Sequence, residues 1–257
     1  MTALKPEKII RIADKAVNLL IVLCFLPILC YGIYALWDSQ HISQQADVSL
    51  YETYRPSEDN DVSFAELQKQ NPEVFGWLTV EGTHMNYPLV QAENNSKYVN
   101  TDVLGEFSLA GSLFLDCRNQ KDFSDLNNII YGHHMEKNAM FGEVEAYEEP
   151  SYFKEHSKGS LYYENRWHDV EFFAFIHGNA YDEVLYNVFL KDKDISSYLE
   201  YIREHAINYA ELPFGSEEQF VTLSTCTSDS TNGRHLLIGR ITENSKNKQG
   251  ELQYEKE

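Results

Sequence analysis

The sequence of 257 residues lacks the short motifs that identify many metal-binding and nucleotide-binding proteins. It has no C-x-x-C pair and no H-x-x-x-H pair, the spacings by which zinc sites are recognised. The adjacent histidines His133 and His134 would point to opposite faces of a strand, so they would not share one ion. No G-x-G-x-x-G and no G-x-x-x-x-G-K-S is present either. We therefore expect no zinc site and no nucleotide cofactor. A carboxylate-lined calcium site stays open, although no EF-hand loop is present.

Basic residues are scarce in this chain. It has 21 lysines and arginines against 40 aspartates and glutamates, and its formal net charge is -19. Because an acidic surface repels phosphate, we expect no nucleic-acid partner. Apolar residues make up 43% of the chain, which is ordinary for a globular protein. The length allows one sizeable domain with additional segments, or two small domains.

Long apolar runs are absent except near the N-terminus, where residues 16–37 read AVNLLIVLCFLPILCYGIYALW without a charge. About 20 apolar residues are enough for a helix to cross the ~30 Å hydrocarbon core of a bilayer. Pro27 is tolerated in such a helix. The aromatic residues Tyr31, Tyr34 and Trp37 lie toward its outer end, where they favour the membrane interface. We therefore expect a transmembrane anchor at 16–37.

The basic residues of this region all precede the apolar run. By the positive-inside rule, residues 1–15 form a cytoplasmic tail and the rest of the chain lies outside the cell. A cleaved signal peptide is the alternative, but its apolar core would be shorter and a small-x-small site should follow it. The segment YALWDSQ has no good site of this kind. We therefore favour a single-pass protein of the cell membrane with an extracellular domain.

Only four cysteines are present, and two of them, Cys24 and Cys30, fall in the apolar run. Cys117 and Cys226 remain for the extracellular part, where disulfides are permitted. A domain of about 200 residues has core enough without such a bridge. The residues alone leave both a Cys117–Cys226 disulfide and two free thiols open.

Three segments are expected beyond the anchor. Residues 38–62 are polar and contain RPSEDND, which is typical of a linker. Residues 63–245 form the folded extracellular domain. Residues 246–257 close the chain as a flexible, frayed tail.

The folded domain begins with a predicted helix and continues with β-rich runs. Ser63 and Glu66 have the spacing of a capping box, and Asn71-Pro72 would end the helix. The segment NRWHD, residues 165–169, is predicted to be a hairpin loop. The predicted strands are rich in Val, Ile, Tyr, Phe and Thr and are bounded by turn residues. They are GWLTV, NYPLVQ, GSLFLD, LNNIIYG, SLYYEN, VEFFAFIHG, QFVTLSTC and HLLIGRIT.

One later segment, ISSYLEYIREHAINYAEL over 195–212, breaks the β pattern and predicts a helix. Pro213 lies just past its end. The residues at helical spacing are Ile195, Leu199, Ile202, Ala206 and Tyr209. We expect a mainly β fold of about eight strands, closed into a barrel or packed as a tight sandwich, with an N-terminal helix and an inserted helix before the last two strands.

Thiol chemistry is the remaining candidate for a reaction. Cys226 ends a predicted strand, and Arg234 follows eight residues later across a predicted loop. A nucleophilic cysteine needs a nearby base and a donor for the oxyanion that forms on attack, and arginine suits the donor's role. The charge pattern alone favours a solvated Arg234, and spacing does not choose a base among the nine histidines.

The combination of TLSTC, a downstream arginine and YGHHM some ninety residues earlier resembles the sortases, and class B in particular. The order His, Cys, Arg is that of the sortases, whereas papain-like peptidases place Cys before His. NPEVFGWL, YPLVQAENNSKYVN, GSLFLDCRN and the predicted helical insertion resemble class B members as well. The resemblance covers about residues 66–242 and implies a closed sortase-type β-barrel with the site at the end of one strand.

By motif, the resemblance assigns His133 as the catalytic histidine, Cys226 as the nucleophile and Arg234 as the catalytic arginine, whereas His134 matches no catalytic position. Asp229 is interpreted either as an orienting group for Arg234 or for the incoming nucleophile, or as a turn former. Four further residues fall where class B enzymes line the groove for their sorting signal. They are Asn95, Val99, Tyr131 and Ser224.

The resemblance implies a cysteine transpeptidase without a cofactor. Its substrates would be surface proteins with a C-terminal sorting signal of the Asn-Pro-x-Thr type, joined through a thioester acyl-enzyme to an amine of a lipid-linked peptidoglycan precursor, lipid II. Three alternatives stay open. They are a pilin polymerase that uses a Lys acceptor, a thiol hydrolase, and a non-enzymatic binding domain with a Cys117–Cys226 disulfide.

Overall fold

A computed structural model describes residues 6–57, 61–227 and 231–243. The chain divides into two compact units at Gln45. The described part of the first unit is helix α1 (Pro6–Gln45) up to Gln44, and this helix contains Pro27. Within α1, residues Ala13–Gln40 are long and apolar enough to cross a membrane, with a mean hydropathy of 2.5. The predicted anchor at 16–37 lies inside this stretch.

In the residues that the structure describes, the second unit is built on nine β-strands. They are β1 Val74–Val80, β2 Asn86–Val90, β3 Leu113–Leu115, β4 Asn127–Tyr131, β5 Lys158–Tyr163, β6 Arg166–Asn179, β7 Ala206–Tyr209, β8 Gln219–Cys226 and β9 Gly233–Glu243. Three α-helices accompany them: α2 Asp61–Gln70, α3 Pro150–Glu155 and α4 Ile195–His205. Short 3-10 segments lie at Val48–Leu50, Glu52–Tyr54, Lys97–Val99, Glu136–Asn138, Gly142–Glu148 and Asp192–Asp194.

Eight of these strands close into a barrel. The order is β5-β1-β2-β3-β4-β8-β9-β6, and β5 pairs with β6 to complete the ring, while β7 extends the edge of β6. The pairs β2–β3 and β4–β8 are parallel, and the other pairs are antiparallel. The predicted closed, mainly β fold of about eight strands is therefore confirmed.

Alternation along the strands sorts their side chains into two apolar clusters. In β8, Leu223 packs with the cluster that takes side chains from all eight ring strands, which is the barrel interior. Phe220, three residues earlier in β8, faces the other way and packs with Tyr198 and Ile202 of α4. The outer face of β8, β9 and β6 is thus covered by α4, which leaves the carboxyl end of β8 accessible.

The predicted helix over 195–212 is too long. Helix α4 ends at His205, and Ala206–Tyr209 form strand β7 against Ala174–Ile176 of β6. Ala206 and Tyr209 continue the helical spacing of apolar residues only by coincidence. The unpaired edge of β6 supplies hydrogen bonds to this segment, and such long-range pairing outweighs local periodicity.

Two further local predictions are wrong. The hairpin turn consists of Glu164 and Asn165 alone, with φ of 49° and 60°, and β6 begins at Arg166. Two residues with positive φ match the twist of the flanking strands, so no longer loop is needed. Helix α2 begins at Asp61, so Ser63 lies in its first turn and is not the N-cap. Its predicted end before Asn71-Pro72 is confirmed.

The segment expected to be a linker, 38–62, contains the end of α1, two 3-10 segments and the first residues of α2. Ala46 and Tyr51 within it are buried. The expected tail over 246–257 and Asp229 lie outside the described residues.

His168 on β6 should make the stability of the domain depend on pH. It is 5% exposed, stacks on Tyr163 with ring centroids 3.8 Å apart, and its Nε2 has no hydrogen-bond partner. Burial, with the nearby Arg166, lowers the pKa of His168 to about 4, against about 6.5 in an unfolded chain. Between these values the unfolded state binds the extra proton, so stability falls as pH decreases from about 6.5 toward 4.

We expect the Tm of the wild-type protein to fall by about 2–4 °C more between pH 7.5 and pH 5 than the Tm of His168→Phe, which cannot bind the proton. Thermal unfolding followed by circular dichroism at both pH values measures this difference. Parallel shifts of the two proteins would contradict it.

Candidate active site

Three neighbouring strands bring the predicted catalytic residues to one edge of the barrel. Tyr131 of β4 pairs with Ser224 of β8 in parallel register. His133 and Cys226 each follow this pair by two residues, so the parallel strands carry them to the same level. Arg234 of β9 is the antiparallel partner of Cys226. Barrel topology therefore juxtaposes residues that lie far apart in the chain.

A cleft of about 550 Å³ opens at this edge. All seven residues proposed from the resemblance line it: His133, Cys226 and Arg234, and the four groove residues Asn95, Val99, Tyr131 and Ser224. The cleft is also lined by residues that the sequence reasoning did not single out. They are Phe114, Arg118, Gly132, Ala180, Tyr186 and Thr225.

Cys226 is an exposed free thiol at the last position of β8. Cys117 is a half-buried free thiol, and its backbone N–H donates to the side-chain oxygen of Asn95 at 2.8 Å. The alternative of a Cys117–Cys226 disulfide is therefore not what the structure contains. A strand-terminal thiol in a cleft is accessible to an extended peptide.

His133 is held in a defined tautomer. Its Nε2 lies 2.7 Å from the backbone oxygen of Val99, and a carbonyl oxygen only accepts, so Nε2 carries the proton and donates. The backbone oxygen of His133 accepts from the N–H of Phe141 at 3.0 Å, which fixes the segment after β4. Nδ1 is then the nitrogen that can exchange a proton with a reacting group.

Arg234 lines the cleft beside Cys226 and is half-buried. Its Nη1 donates to the backbone oxygens of Gly233 at 2.7 Å and Thr231 at 3.3 Å. These bonds hold the guanidinium in its own loop. The guanidinium has five N–H donors in all, and its charge persists at any working pH.

His134 has different surroundings from its neighbour. Its Nε2 lies 2.8 Å from Oε2 of Glu145, and its backbone bridges to Met140. It does not line the cleft. Among the residues that the structure describes, no three His, Cys, Asp or Glu side chains are grouped to hold a metal ion.

A buried carboxylate organises the wall of the cleft. Asp116 accepts bonds from Arg118 Nε at 2.9 Å and Nη2 at 2.8 Å, from the Tyr131 hydroxyl at 2.9 Å and from Asn95 Nδ2 at 3.0 Å. Burial alone would raise the pKa of the Asp116 carboxyl, but the bonds from Arg118 and Tyr131 lower the pKa below its usual range. Two of the predicted groove residues are therefore held by an ionised aspartate.

Tyr186 completes this wall from the long connection after β6. Its hydroxyl lies 2.7 Å from Oγ of Ser224, and its ring is parallel to that of Tyr131 with centroids 6.3 Å apart. Burial raises the pKa of Tyr186 to about 12, so the hydroxyl keeps its proton. No sequence pattern pointed to Tyr186. Asp116 and Arg118, in contrast, lie in the motif GSLFLDCRN, where a carboxylate and a guanidinium directly follow a buried strand.

We expect Asp116→Asn to raise KM for a sorting-signal peptide about 10-fold with little change in kcat, because Asp116 positions groove residues and does not touch the thiol. An asparagine offers one acceptor oxygen where the carboxylate offers two, so Tyr131, Asn95 and Arg118 compete for it. Steady-state peptide cleavage measures both constants.

Asp125→Asn is the matched control, since Asp125 caps a turn outside the cleft by accepting from Asn119 and Gln120. A loss confined to kcat, or an equal rise in KM in the control, would contradict the positioning role. Thermal unfolding of both variants separates a groove effect from general destabilisation.

Known proteins similar to this chain were found by sequence and by structure, although no family model matches it. A curated relative, Sortase B of Listeria monocytogenes, is 30% identical over 178 residues, 68% of this chain and 72% of that protein. A solved class B sortase of Streptococcus pyogenes, involved in pilus biogenesis, is 40% identical with a TM-score of 0.65, covering 70% of this chain and 98% of that one.

Sortase B from the type II pilus of Streptococcus pneumoniae is 36% identical with a TM-score of 0.61, covering 70% of this chain and 99% of that one. These similarities agree with the closed barrel and with the cleft at the ends of β4 and β8. The chain therefore belongs to the sortase B family of cysteine transpeptidases.

Proposed function

We propose that this chain is a membrane-anchored transpeptidase in which Cys226 is the nucleophile, His133 the general acid and base, and Arg234 the oxyanion donor. The observation that carries the proposal is the meeting of these three side chains in one cleft, with Cys226 and Arg234 paired across β8 and β9. A reaction that begins with attack by a thiolate needs a proton donor for the leaving group and a fixed positive charge for the oxyanion. His133 and Arg234 beside Cys226 would supply both.

In the first half-reaction the Cys226 thiolate attacks the threonine carbonyl carbon of the sorting signal, and a C–S bond forms. Arg234 stabilises the oxyanion of the tetrahedral intermediate. The C–N bond of the scissile peptide then breaks, and His133, which holds at Nδ1 the proton taken from the Cys226 thiol while Nε2 stays bonded to Val99, gives that proton to the departing amine. A thioester acyl-enzyme remains.

In the second half-reaction an acceptor amine attacks the thioester carbonyl. His133 removes the proton from the amine, a new C–N bond forms, and the C–S bond to Cys226 breaks. The substrate protein is then joined through its threonine to the acceptor, and the enzyme returns to its first state. Neither step needs a cofactor.

The sorting signal would lie along the wall formed by Asn95, Val99, Tyr131 and Ser224, with its threonine at Cys226. Asn95 and Tyr131 are held by Asp116, and Ser224 is bonded to Tyr186, so the groove is ordered before a peptide binds. Such preorganisation lowers the cost of fixing an extended peptide. The preferred signal in this proposal is of the Asn-Pro-x-Thr type.

The anchor places the enzyme where both substrates arrive. The basic residues before the apolar stretch favour a cytoplasmic N-terminus and an extracellular catalytic domain. Tethering raises the effective concentration of the enzyme toward surface proteins and toward lipid II, whose amine would be the acceptor. The product is then a surface protein attached to the cell wall.

A second candidate is pilin polymerisation, in which a Lys side chain of another subunit is the acceptor. It is favoured by the higher identity of this chain to the two pilus sortases, 40% and 36%, than to the curated Sortase B of Listeria monocytogenes, 30%. The catalytic steps are the same in both candidates, and only the amine differs.

The proposal is tested by cleavage of Asn-Pro-x-Thr and Leu-Pro-x-Thr peptides side by side, each with and without an acceptor amine. We expect faster cleavage of the Asn-Pro-x-Thr peptide and an amide product with the amine. Release of free acid at the same rate whether or not the amine is present would instead identify a thiol hydrolase. Competing a wall-precursor peptide against a pilin subunit as acceptor separates the two candidates.

A further inference from the structure

Four exposed apolar side chains form what we call the anchor-side patch: Leu50, Leu104, Phe107 and Leu109. They are 53%, 42%, 70% and 48% exposed. In the described part of the second unit only three other large apolar residues are comparably exposed, namely Tyr181, Phe189 and Ile207. Single exposed apolar residues are ordinary, but a group of them on one surface marks a binding site.

The members of the patch are brought together by contacts between two segments. Leu50 directly precedes Tyr51, which packs in the same buried apolar cluster as Val103. Oγ of Ser108, between Phe107 and Leu109, donates to Oε1 of Gln45 at 3.3 Å. Gln45 and the segment that follows it therefore pack against the loop that carries the other three residues.

Backbone hydrogen bonds fix the conformation of the loop that carries Leu104, Phe107 and Leu109. Thr101 and Phe107 form an antiparallel bridge, and Gly105 takes the positive φ of 90° that the turn requires. Oδ1 of Asp102 accepts from the N–H groups of Leu104 and Glu106 at 2.9 and 2.8 Å. The exposure of Phe107 therefore belongs to an ordered turn.

Chain length limits how far the patch can lie from the end of the apolar stretch. The apolar stretch ends at Gln40, and Gln45, the residue hydrogen bonded to Ser108, is five residues later. Five residues span at most about 18 Å when fully extended, and about 8 Å in a helix. Whatever the angle of the anchor, Gln45 is therefore held within this distance of the end of the apolar stretch.

We propose that the anchor-side patch docks on the outer surface of the lipid bilayer and holds the catalytic domain in one orientation. This inference rests on the membrane anchoring proposed above. Insertion of a few apolar side chains into the interface is too weak to bind a free domain, but the tether supplies an effective concentration in the millimolar range for a short linker.

The charge of the patch defines which lipids it favours. Its apolar residues are flanked by the carboxylates of Asp47, Glu52, Asp102 and Glu106, with no lysine or arginine from residue 45 to 54 or from 100 to 110. Negative headgroups therefore repel it, and docking depends on apolar contact. Docking should be stronger on zwitterionic than on anionic bilayers, with the difference reduced by salt.

Docking would also place the catalytic cleft near the bilayer. The loop of the patch follows Val99, whose backbone oxygen accepts from His133, and it returns to Ser112, whose N–H donates to Tyr98. One rim of the cleft is therefore continuous with the docked loop. A lipid-linked acceptor amine would reach the thioester without the domain having to reorient.

The test is tryptophan quenching in the full chain, inserted in phosphatidylcholine vesicles that contain lipids brominated near the glycerol end of the acyl chains. We expect the emission added by Phe107→Trp to be quenched by about half, as for a side chain inserted at the interface. Phe189→Trp is the matched control, because Phe189 is 67% exposed and lies outside the patch, and its added emission should be unchanged.

Each other outcome is decisive. Trp37 of the anchor gives wild-type protein its own quenching signal, so a quenched wild type with unquenched Phe107→Trp refutes docking but keeps the anchor. A wild type that is not quenched refutes the anchor, and docking with it. Equal quenching of Phe107→Trp and Phe189→Trp would show that the domain contacts the bilayer without a defined orientation, which contradicts the proposal. An emission shift of Phe107→Trp that grows with protein density in unbrominated vesicles assigns the patch to a second copy of the chain.

Discussion

Cys226→Ala is expected to lower sorting-signal cleavage and transfer by about 10³-fold or more, to the level of the uncatalysed reaction, because no acyl-enzyme can form. The thiol is the last residue of β8 and is exposed in the cleft, so the same variant should lose labelling by thiol-directed methanethiosulfonates. Product formation with a fluorogenic Asn-Pro-x-Thr peptide and intact mass after labelling measure the two effects.

Cys117→Ala is the control that the chain itself offers. Cys117 is half-buried, and only its backbone N–H takes part in the cleft wall, through Asn95. We expect the cleavage rate of Cys117→Ala to stay within about 3-fold of wild type. The substitution removes a half-buried sulfur and leaves the backbone bond from residue 117 to Asn95 intact. Loss of cleavage and labelling in Cys117→Ala, with both retained in Cys226→Ala, would overturn the assignment of the nucleophile.

The strands of the barrel could be predicted because their signal is local. β8 alternates side chains between the barrel interior and the face under α4, and both faces are buried, so QFVTLSTC is a nearly continuous apolar and β-branched run. Eight such runs correspond to the eight strands of the ring. Strand β7 was missed because Ala206–Tyr209 owe their conformation to the edge of β6 and to no pattern of their own.

The candidate site was predictable only in part, for the same reason. Cys226 and Arg234 are paired across one hairpin, so a short spacing carries the information. His133 is brought to them by the parallel pairing of β4 with β8. This pairing joins residues about ninety positions apart, so no local sequence pattern predicts it. The motif resemblance supplied that link. Tyr186 comes from the long connection after β6, and only the folded chain shows its bond to Ser224.

His133→Ala is expected to lower transfer about 10²–10⁴-fold, the range for loss of a general acid and base, while His134→Ala stays within a few-fold of wild type. The two residues are neighbours in sequence but not in surroundings. His133 lines the cleft with its Nε2 bonded to Val99, whereas His134 is paired with Glu145 outside it. Single-turnover cleavage of the Asn-Pro-x-Thr peptide compares the two variants, and an inactive His134→Ala beside an active His133→Ala would refute the choice between them.

The role of His133 can be separated from a merely structural one by changing the leaving group. A peptide ester whose alcohol leaves without a proton no longer needs a general acid for acylation. His133→Ala should therefore form the acyl-enzyme from this ester far closer to the wild-type rate than it does from the peptide, while Cys226→Ala remains inactive on both. If His133→Ala were equally impaired on both substrates, the histidine would act before the leaving group departs, by forming the thiolate or by holding the cleft through its bond to Val99, and protonation of the leaving amine would have to be assigned to another group.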